Sequence, residues 1–210
     1  MFGLTPAETR ILRRLTTPAK IQDFIETIPS NFESHGETCL STRRVLRERR
    51  AHCIEGAMLA ALALRLHGHK PLVLDLTAAA HDQDHVIAVF QKNGRWGAIS
   101  KSNHTVLRYR DPVYKTIREL VLSYFHEYTD VRGYKTLRSY TRPLDLSRFD
   151  RDGWMTSEED VWIIPNALAD APHIPLLTPS GARLLRRADP IERKAGELLR
   201  WKKPLRSRGR

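Results

Sequence analysis

Two side chains in the first half of the chain have the types expected of a thiol nucleophile and its base. Cys53 begins a long apolar run, and His85 begins a strand-like segment further along the sequence. The positive end of a helix favours the thiolate form of a cysteine in its first turn. A neutral histidine within hydrogen-bond reach would take the thiol proton and later return it to a leaving group. The pair therefore predicts covalent acyl chemistry.

The segments around these two residues are predicted to bring them together. The run after Cys53 contains a single charged residue, Glu55, which favours a helix buried on nearly all sides. Further on, Asn93 and Gly94 are the pair most typical of a two-residue hairpin. The predicted elements are a helix over 54–64, a strand over 71–76, a polar loop over 78–84, and antiparallel strands over 86–90 and 96–99.

The rest of the chain is predicted to be mixed helix and strand. A threonine followed by a proline is a helix start, because proline at the first helical position loses no hydrogen bond. The predicted elements are helices beginning at Pro6, at Pro18 and after Ser41, a helix over 109–128, a strand within 134–146, a strand over 161–165 and a helix over 190–201.

The order of these elements resembles the transglutaminase-like superfamily. The run 53–71 resembles that family's nucleophile helix, in which a cysteine opens an Ala/Leu-rich segment that ends in Leu-Arg-x-x-Gly before a strand. His85 with 86–90 resembles the histidine strand, and 94–96 the following hairpin. The resemblance covers about residues 41–100. It implies an α+β, papain-like core, with a buried nucleophile helix packed on a small antiparallel sheet, and a cysteine hydrolase or acyltransferase acting on an amide or peptide bond.

The third member of the predicted site departs from the family. About four positions after the hairpin tryptophan the family has an aspartate or asparagine, and this chain has Ser100. A serine hydroxyl can accept a hydrogen bond from an imidazole, but it cannot stabilise an imidazolium with a full charge. Asn103, Asp82 and Asp84 are the alternative orienting groups. The catalytic residues implied are Cys53, His85 and Ser100.

Other interpretations of the histidines and cysteines remain open. The run 81–85 offers four potential metal ligands, although successive loop residues rarely converge on one ion without help from elsewhere. The second cysteine, Cys39, lies in a polar loop without a matching partner and is expected to be structural or incidental. No cofactor or metal is required by the predicted chemistry.

Composition and charge bound the classes of protein that fit. The 210 residues are 41% hydrophobic and 28% charged, which suits a folded domain with one core. We expect a core domain over 1–165 and a Pro-interrupted, partly disordered basic segment over 166–210. The net charge is +11, and residues 183–210 hold eleven basic against three acidic residues. Such a tail could bind nucleic acid or an anionic surface through counterion release, but no nucleic-acid motif accompanies it, so the favoured interpretation is a solubilising end.

The sequence gives an expected location and two hypotheses for the function. No apolar stretch approaches the ~20 residues of a membrane span and no signal-peptide pattern opens the chain, so we expect a cytoplasmic protein with reduced cysteines. The first hypothesis is a transglutaminase-like cysteine enzyme with a peptide or protein substrate. The second is a catalytically silent member of the same fold that uses its groove and basic tail for binding. The serine at position 100 favours the second.

Overall fold

The computed structural model describes residues 2–34 and 36–203. It is an α+β fold, as predicted, in which helices cover an antiparallel sheet whose strand order differs from the chain order. The helices are α1 (Pro6–Arg13), α2 (Pro18–Glu26), α3 (Thr42–Glu48), α4 (Cys53–Leu66), α5 (Ile117–Leu122), α6 (Ile163–Ala169), α7 (Pro179–Arg183) and α8 (Pro190–Gly196), with a 3₁₀ segment at Leu146–Asp152. The strands are β1 (Leu72–Ala78), β2 (His85–Lys92), β3 (Arg95–Ile99), β4 (Arg110–Tyr114), β5 (Leu137–Thr141), β6 (Leu144–Asp145) and β7 (His173–Pro175).

The sheet has the order β4-β3-β2-β1-β5-β7, with β6 also paired to β1, and the neighbouring strands are antiparallel. The β2–β3 hairpin turns at Asn93 and Gly94, and both residues have positive φ, at 52° and 71°. That backbone suits the right-handed twist of the two strands. The predicted hairpin is confirmed, and it sets the register that carries the end of β3 back to the start of β2.

Helices pack on both faces of the sheet. Side chains along a strand alternate between the two faces, so each strand contributes to both layers of the core. On one face Val86, Ala88 and Phe90 pack with α4, whose residues 54–64 are all buried. On the other face Ile87 and Val89 pack with the α5 region. The predicted buried helix is therefore confirmed, and it lies directly across β2.

Two predicted elements are wrong. The helix expected over 109–128 is a strand, β4, followed by the short helix α5. Proline is tolerated in an edge strand, and Pro112 lies in β4 at the edge of the sheet. The strand expected over 161–165 instead contains the start of α6, where Pro165 occupies the first turn and its missing N–H costs nothing.

The C-terminal part of the chain folds back onto the core as far as it is described. The helix predicted over 190–201 ends at Gly196. Part of the basic tail, residues 204–210, lies outside the described residues. None of the helices within the described ranges is long and apolar enough to cross a membrane.

Candidate active site

Cys53 is the first residue of α4 and is half-buried. The start of this helix is held by Glu55, whose carboxylate is fully buried and accepts the backbone N–H of His52 at 2.8 Å. The same carboxylate accepts hydrogen bonds from the Thr38 hydroxyl at 3.0 Å and the Leu40 N–H at 2.9 Å. Glu55 thus ties the preceding loop to the first turn of α4, which carries Cys53.

On its other side, the first turn of α4 packs closely against Lys101, in the chain after β3. A Cβ on Gly56 would lie 2.4 Å from the Cβ of Lys101, so α4 can contact the chain after β3 only with glycine there. Lys101 is buried, and its ammonium donates to the Ile28 carbonyl at 2.6 Å. Burial lowers the pKa of Lys101 to about 8.

His85 is the first residue of β2 and is buried, 8% exposed. Its Nε2 lies 2.8 Å from Oγ of Ser100, which follows β3 directly. The Ser100 hydroxyl in turn lies 2.5 Å from the Leu107 carbonyl oxygen. A carbonyl can only accept, so the single hydroxyl proton of Ser100 goes to Leu107. Ser100 must then accept from His85, which places the imidazole proton on Nε2 and leaves Nδ1 as the free base.

Ser100 is itself held on both sides of its backbone. Its N–H donates to Oε1 of Gln22 at 2.9 Å, and its carbonyl accepts from Nε2 of the same side chain at 2.8 Å. Both residues are buried, with Ser100 1% and Gln22 5% exposed. The residue that orients His85 is therefore fixed by α2, an element that lies 78 residues away in the chain.

The two cysteines have opposite electrostatic surroundings. Burial raises the pKa of the Cys53 thiol, but hydrogen bonds and charge interactions with His52 and His85 outweigh it and hold that pKa well below the usual value. Burial raises the pKa of Cys39 far above its usual value, and nearby Glu55 adds to the effect. Cys39 is fully buried, whereas the lowered pKa of Cys53 favours its thiolate form.

Cys53 and His85 line a cleft with a volume of about 550 Å³. One wall comes from the loop before β2, and another from the C-terminal segment, which we define as residues 186–203. That wall contributes Arg193, Gly196, Glu197 and Leu199 to the lining. The size suits a side chain or short peptide rather than a whole folded partner.

The C-terminal segment is anchored to the chain that follows Ser100. Asn103 exchanges two hydrogen bonds with the Trp201 backbone, at 2.9 and 3.0 Å. His104 Nδ1 lies 2.8 Å from the Gly196 carbonyl oxygen, and Thr105 donates to the Ala195 carbonyl at 2.7 Å. This anchoring makes the segment a wall of the cleft.

The alternative orienting groups are engaged elsewhere. Asn103 holds Trp201, Asp84 accepts the Ala78 N–H at 2.7 Å, and Asp82 accepts the Thr136 hydroxyl at 2.5 Å. Within the described residues, no group of three or more His, Cys, Asp or Glu side chains is arranged to hold a metal ion. Of the predicted candidates, the structure brings together Cys53, His85 and Ser100.

Sequence reasoning missed two residues of this site. His52 precedes Cys53 directly and interacts with its thiol, a contact that adjacency to the nucleophile could have suggested. Gln22 carried no such signal, because its contact with Ser100 is purely tertiary.

Comparison of the chain with protein-family models found no match, and a search of curated proteins found none either. Function is therefore inferred from the geometry of the site.

Proposed function

We propose that this chain is a cysteine hydrolase or acyltransferase that acts on an amide or ester bond of a peptide or protein, similar to transglutaminase-like enzymes. The observation that carries the proposal is the hydrogen-bond chain from His85 through Ser100 to the Leu107 carbonyl, which fixes the tautomer of His85. Ser100 accepts a hydrogen bond from the Nε2–H of His85, with Nε2 and Oγ 2.8 Å apart, which leaves Nδ1 as the atom available to the Cys53 thiol. A thiol with a lowered pKa beside an oriented base is the arrangement of an activated nucleophile.

In the proposed resting state the thiol proton has moved to Nδ1 of His85, which leaves Cys53 as a thiolate. The Cys53 sulfur then bonds to the substrate carbonyl carbon, and the carbonyl electron pair moves to oxygen. Amide groups at the N-terminus of α4 favour that oxyanion, because the first N–H groups of a helix lack helical partners. When the electron pair returns, the bond to the leaving group breaks and His85 protonates the departing amine or alcohol.

The thioester at Cys53 is then cleaved by water or by an amine. His85 takes a proton from the incoming nucleophile, the new C–O or C–N bond forms, and the C–S bond breaks to regenerate the thiolate. Water gives hydrolysis and an amine gives transfer. The overall proton balance closes, since the proton lost by the acceptor replaces the one given to the leaving group.

Two features support the family resemblance within this proposal. The nucleophile helix lies across the histidine strand, and the hairpin returns the third residue to the histidine. A neutral serine in the third position is the feature that favours a catalytically silent binding module instead. The test is therefore whether the Cys53 sulfur reacts covalently with an acyl donor.

The experiment uses p-nitrophenyl acetate as a minimal acyl donor and follows the protein by intact mass. We expect one acetyl group on Cys53, with a burst of nitrophenolate, in the wild type and in Cys39→Ser. Cys53→Ser is expected to give no adduct, and His85→Gln a strongly slowed burst. Absence of an adduct in the folded wild type, or equal labelling of Cys39, would contradict the proposal and leave the silent binding module.

A further inference from the structure

His52 is a second histidine beside the nucleophile, and its ring is tied to acidic groups. It is the residue immediately before α4 and it lines the same cleft as Cys53. Its Nε2 lies 2.8 Å from the Thr38 carbonyl oxygen, so this nitrogen carries a proton. The same Nε2 lies 3.5 Å from a Glu33 oxygen and 3.4 Å from a Glu55 oxygen.

The charge state of Glu55 follows from its partners. Oε1 accepts from Thr38 and Leu40, and Oε2 accepts from the His52 N–H. Asn31 Nδ2 lies 3.2 Å from both oxygens. The backbone N–H groups of His52 and Leu40 can only donate, so each carboxyl oxygen of Glu55 acts as an acceptor. A buried carboxylate needs a positive neighbour, and His52 is placed to provide it.

The two histidines therefore differ in their partners. His85 is paired with Ser100, a neutral group whose own proton is committed to a carbonyl. His52 is paired with two carboxylates. Charged partners stabilise an imidazolium, whereas a neutral hydroxyl stabilises it much less. The acidic support that the resemblance leads one to expect behind His85 is found behind His52.

We infer that His52, as an imidazolium held by Glu33 and Glu55, is a second catalytic histidine that stabilises the Cys53 thiolate. This role rests on the proposed function. It produces a row of alternating charges, carboxylate, His52, thiolate and His85, in which the sulfur has a cation on each side during proton transfer. The carboxylates behind His52 thereby provide the charge stabilisation that Ser100 cannot provide behind His85.

The groups that face His52 agree with this assignment. Burial lowers the pKa of His52, but interactions with Cys53, Glu55 and the Thr38 carbonyl outweigh it and raise that pKa to about 9. At neutral pH the ring is therefore protonated. The titratable groups near it are Glu33, Glu37 and Cys39 on the preceding loop, Cys53 and Glu55 on α4, and His85, which also interacts with the Cys53 thiol.

The test measures the rate of iodoacetamide alkylation of Cys53 against pH. His52→Gln keeps a polar side chain but no titrating ring, and His67→Gln makes the same change at the opposite end of α4. In the wild type and His67→Gln we expect an inflection well below 8.5, the ordinary thiol value. In His52→Gln the inflection should rise, with at least a tenfold loss of rate at pH 6, since each unit of thiol pKa is worth about tenfold in thiolate.

Three outcomes separate this inference from the proposed function. An acidic thiol in the wild type that stays unchanged in His52→Gln overturns the role of His52 and leaves the proposed function intact. An ordinary thiol in the wild type overturns both. If His52→Gln does not fold, imidazole NMR of wild type and Cys53→Ser decides the matter. The account expects His52 to titrate near 9 in the wild type and distinctly lower without the thiolate, and a ring that is neutral at pH 7 would overturn it.

Discussion

Replacing Ser100 by alanine removes both the acceptor for His85 and the donor for the Leu107 carbonyl. These bonds are 2.8 and 2.5 Å long, and Ser100 is 1% exposed, so water cannot easily replace them. A buried polar group left without a partner costs about 1–3 kcal/mol. Two such groups give an expected loss of about 2–6 kcal/mol in the free energy of unfolding. The backbone bonds to Gln22 remain, since they do not involve the hydroxyl.

The same change frees the tautomer of His85. Without an acceptor at Nε2, the ring proton can move to Nδ1, which then no longer accepts the thiol proton. We expect acylation by p-nitrophenyl acetate to slow by about 10²-fold, less than the ~10⁴-fold that follows a wrong tautomer in a triad with a carboxylate. Urea unfolding and the nitrophenolate burst measure the two effects separately.

Ser102→Ala is the matched control for this prediction. Ser102 lies two positions further along, is similarly buried and bonds to His104 rather than to His85. It should keep the wild-type burst rate. If Ser100→Ala also keeps that rate and unfolds within about 0.5 kcal/mol of the wild type, the assigned role of Ser100 is refuted.

Three further predictions follow from neighbouring contacts. Ser100→Asp should destabilise the fold rather than improve the site, because a carboxylate cannot donate to the Leu107 carbonyl 2.5 Å away; a raised melting temperature would contradict this. Gly56→Ala should cost about 3 kcal/mol or more, since its Cβ would lie 2.4 Å from the Cβ of Lys101, whereas Gly196→Ala, with open space around it, should be tolerated in urea unfolding. Lys101 has a folded pKa of about 8 against 10.5 when unconstrained, so the unfolded chain binds more protons between these values. The wild type should therefore gain up to about 3 kcal/mol relative to Lys101→Met as pH rises from 8 to 10.5, and a constant difference across that range would contradict the burial of a charged amine.

The elements that carry the site were predictable because their signals are local. The apolar run after Cys53 can only be a buried helix, and Asn93-Gly94 sets the hairpin that brings Ser100 to His85. The errors arose where local signals are ambiguous. A short apolar run ending in Pro165 fits a strand or a first helical turn equally well, and tertiary packing decided for the helix.

The remaining features depend on contacts between distant parts of the chain. Gln22 meets Ser100 across 78 residues, and the wall formed by the C-terminal segment depends on Asn103 bonding to Trp201, 98 residues away. No local pattern marks such partners. The interaction of the Cys53 thiol with both His52 and His85 is likewise visible only in the folded chain.

The account depends most directly on the ionisation state of the Cys53 thiol. The measurement is the ultraviolet absorbance of the thiolate as a function of pH, taken as the difference between wild type and Cys53→Ser so that Cys39 cancels. The account predicts that the Cys53 thiolate appears at a pH well below that of a free cysteine, because two histidines hold its pKa well below the usual value. A thiolate that appears only around pH 8.5, as for a free cysteine, would contradict it.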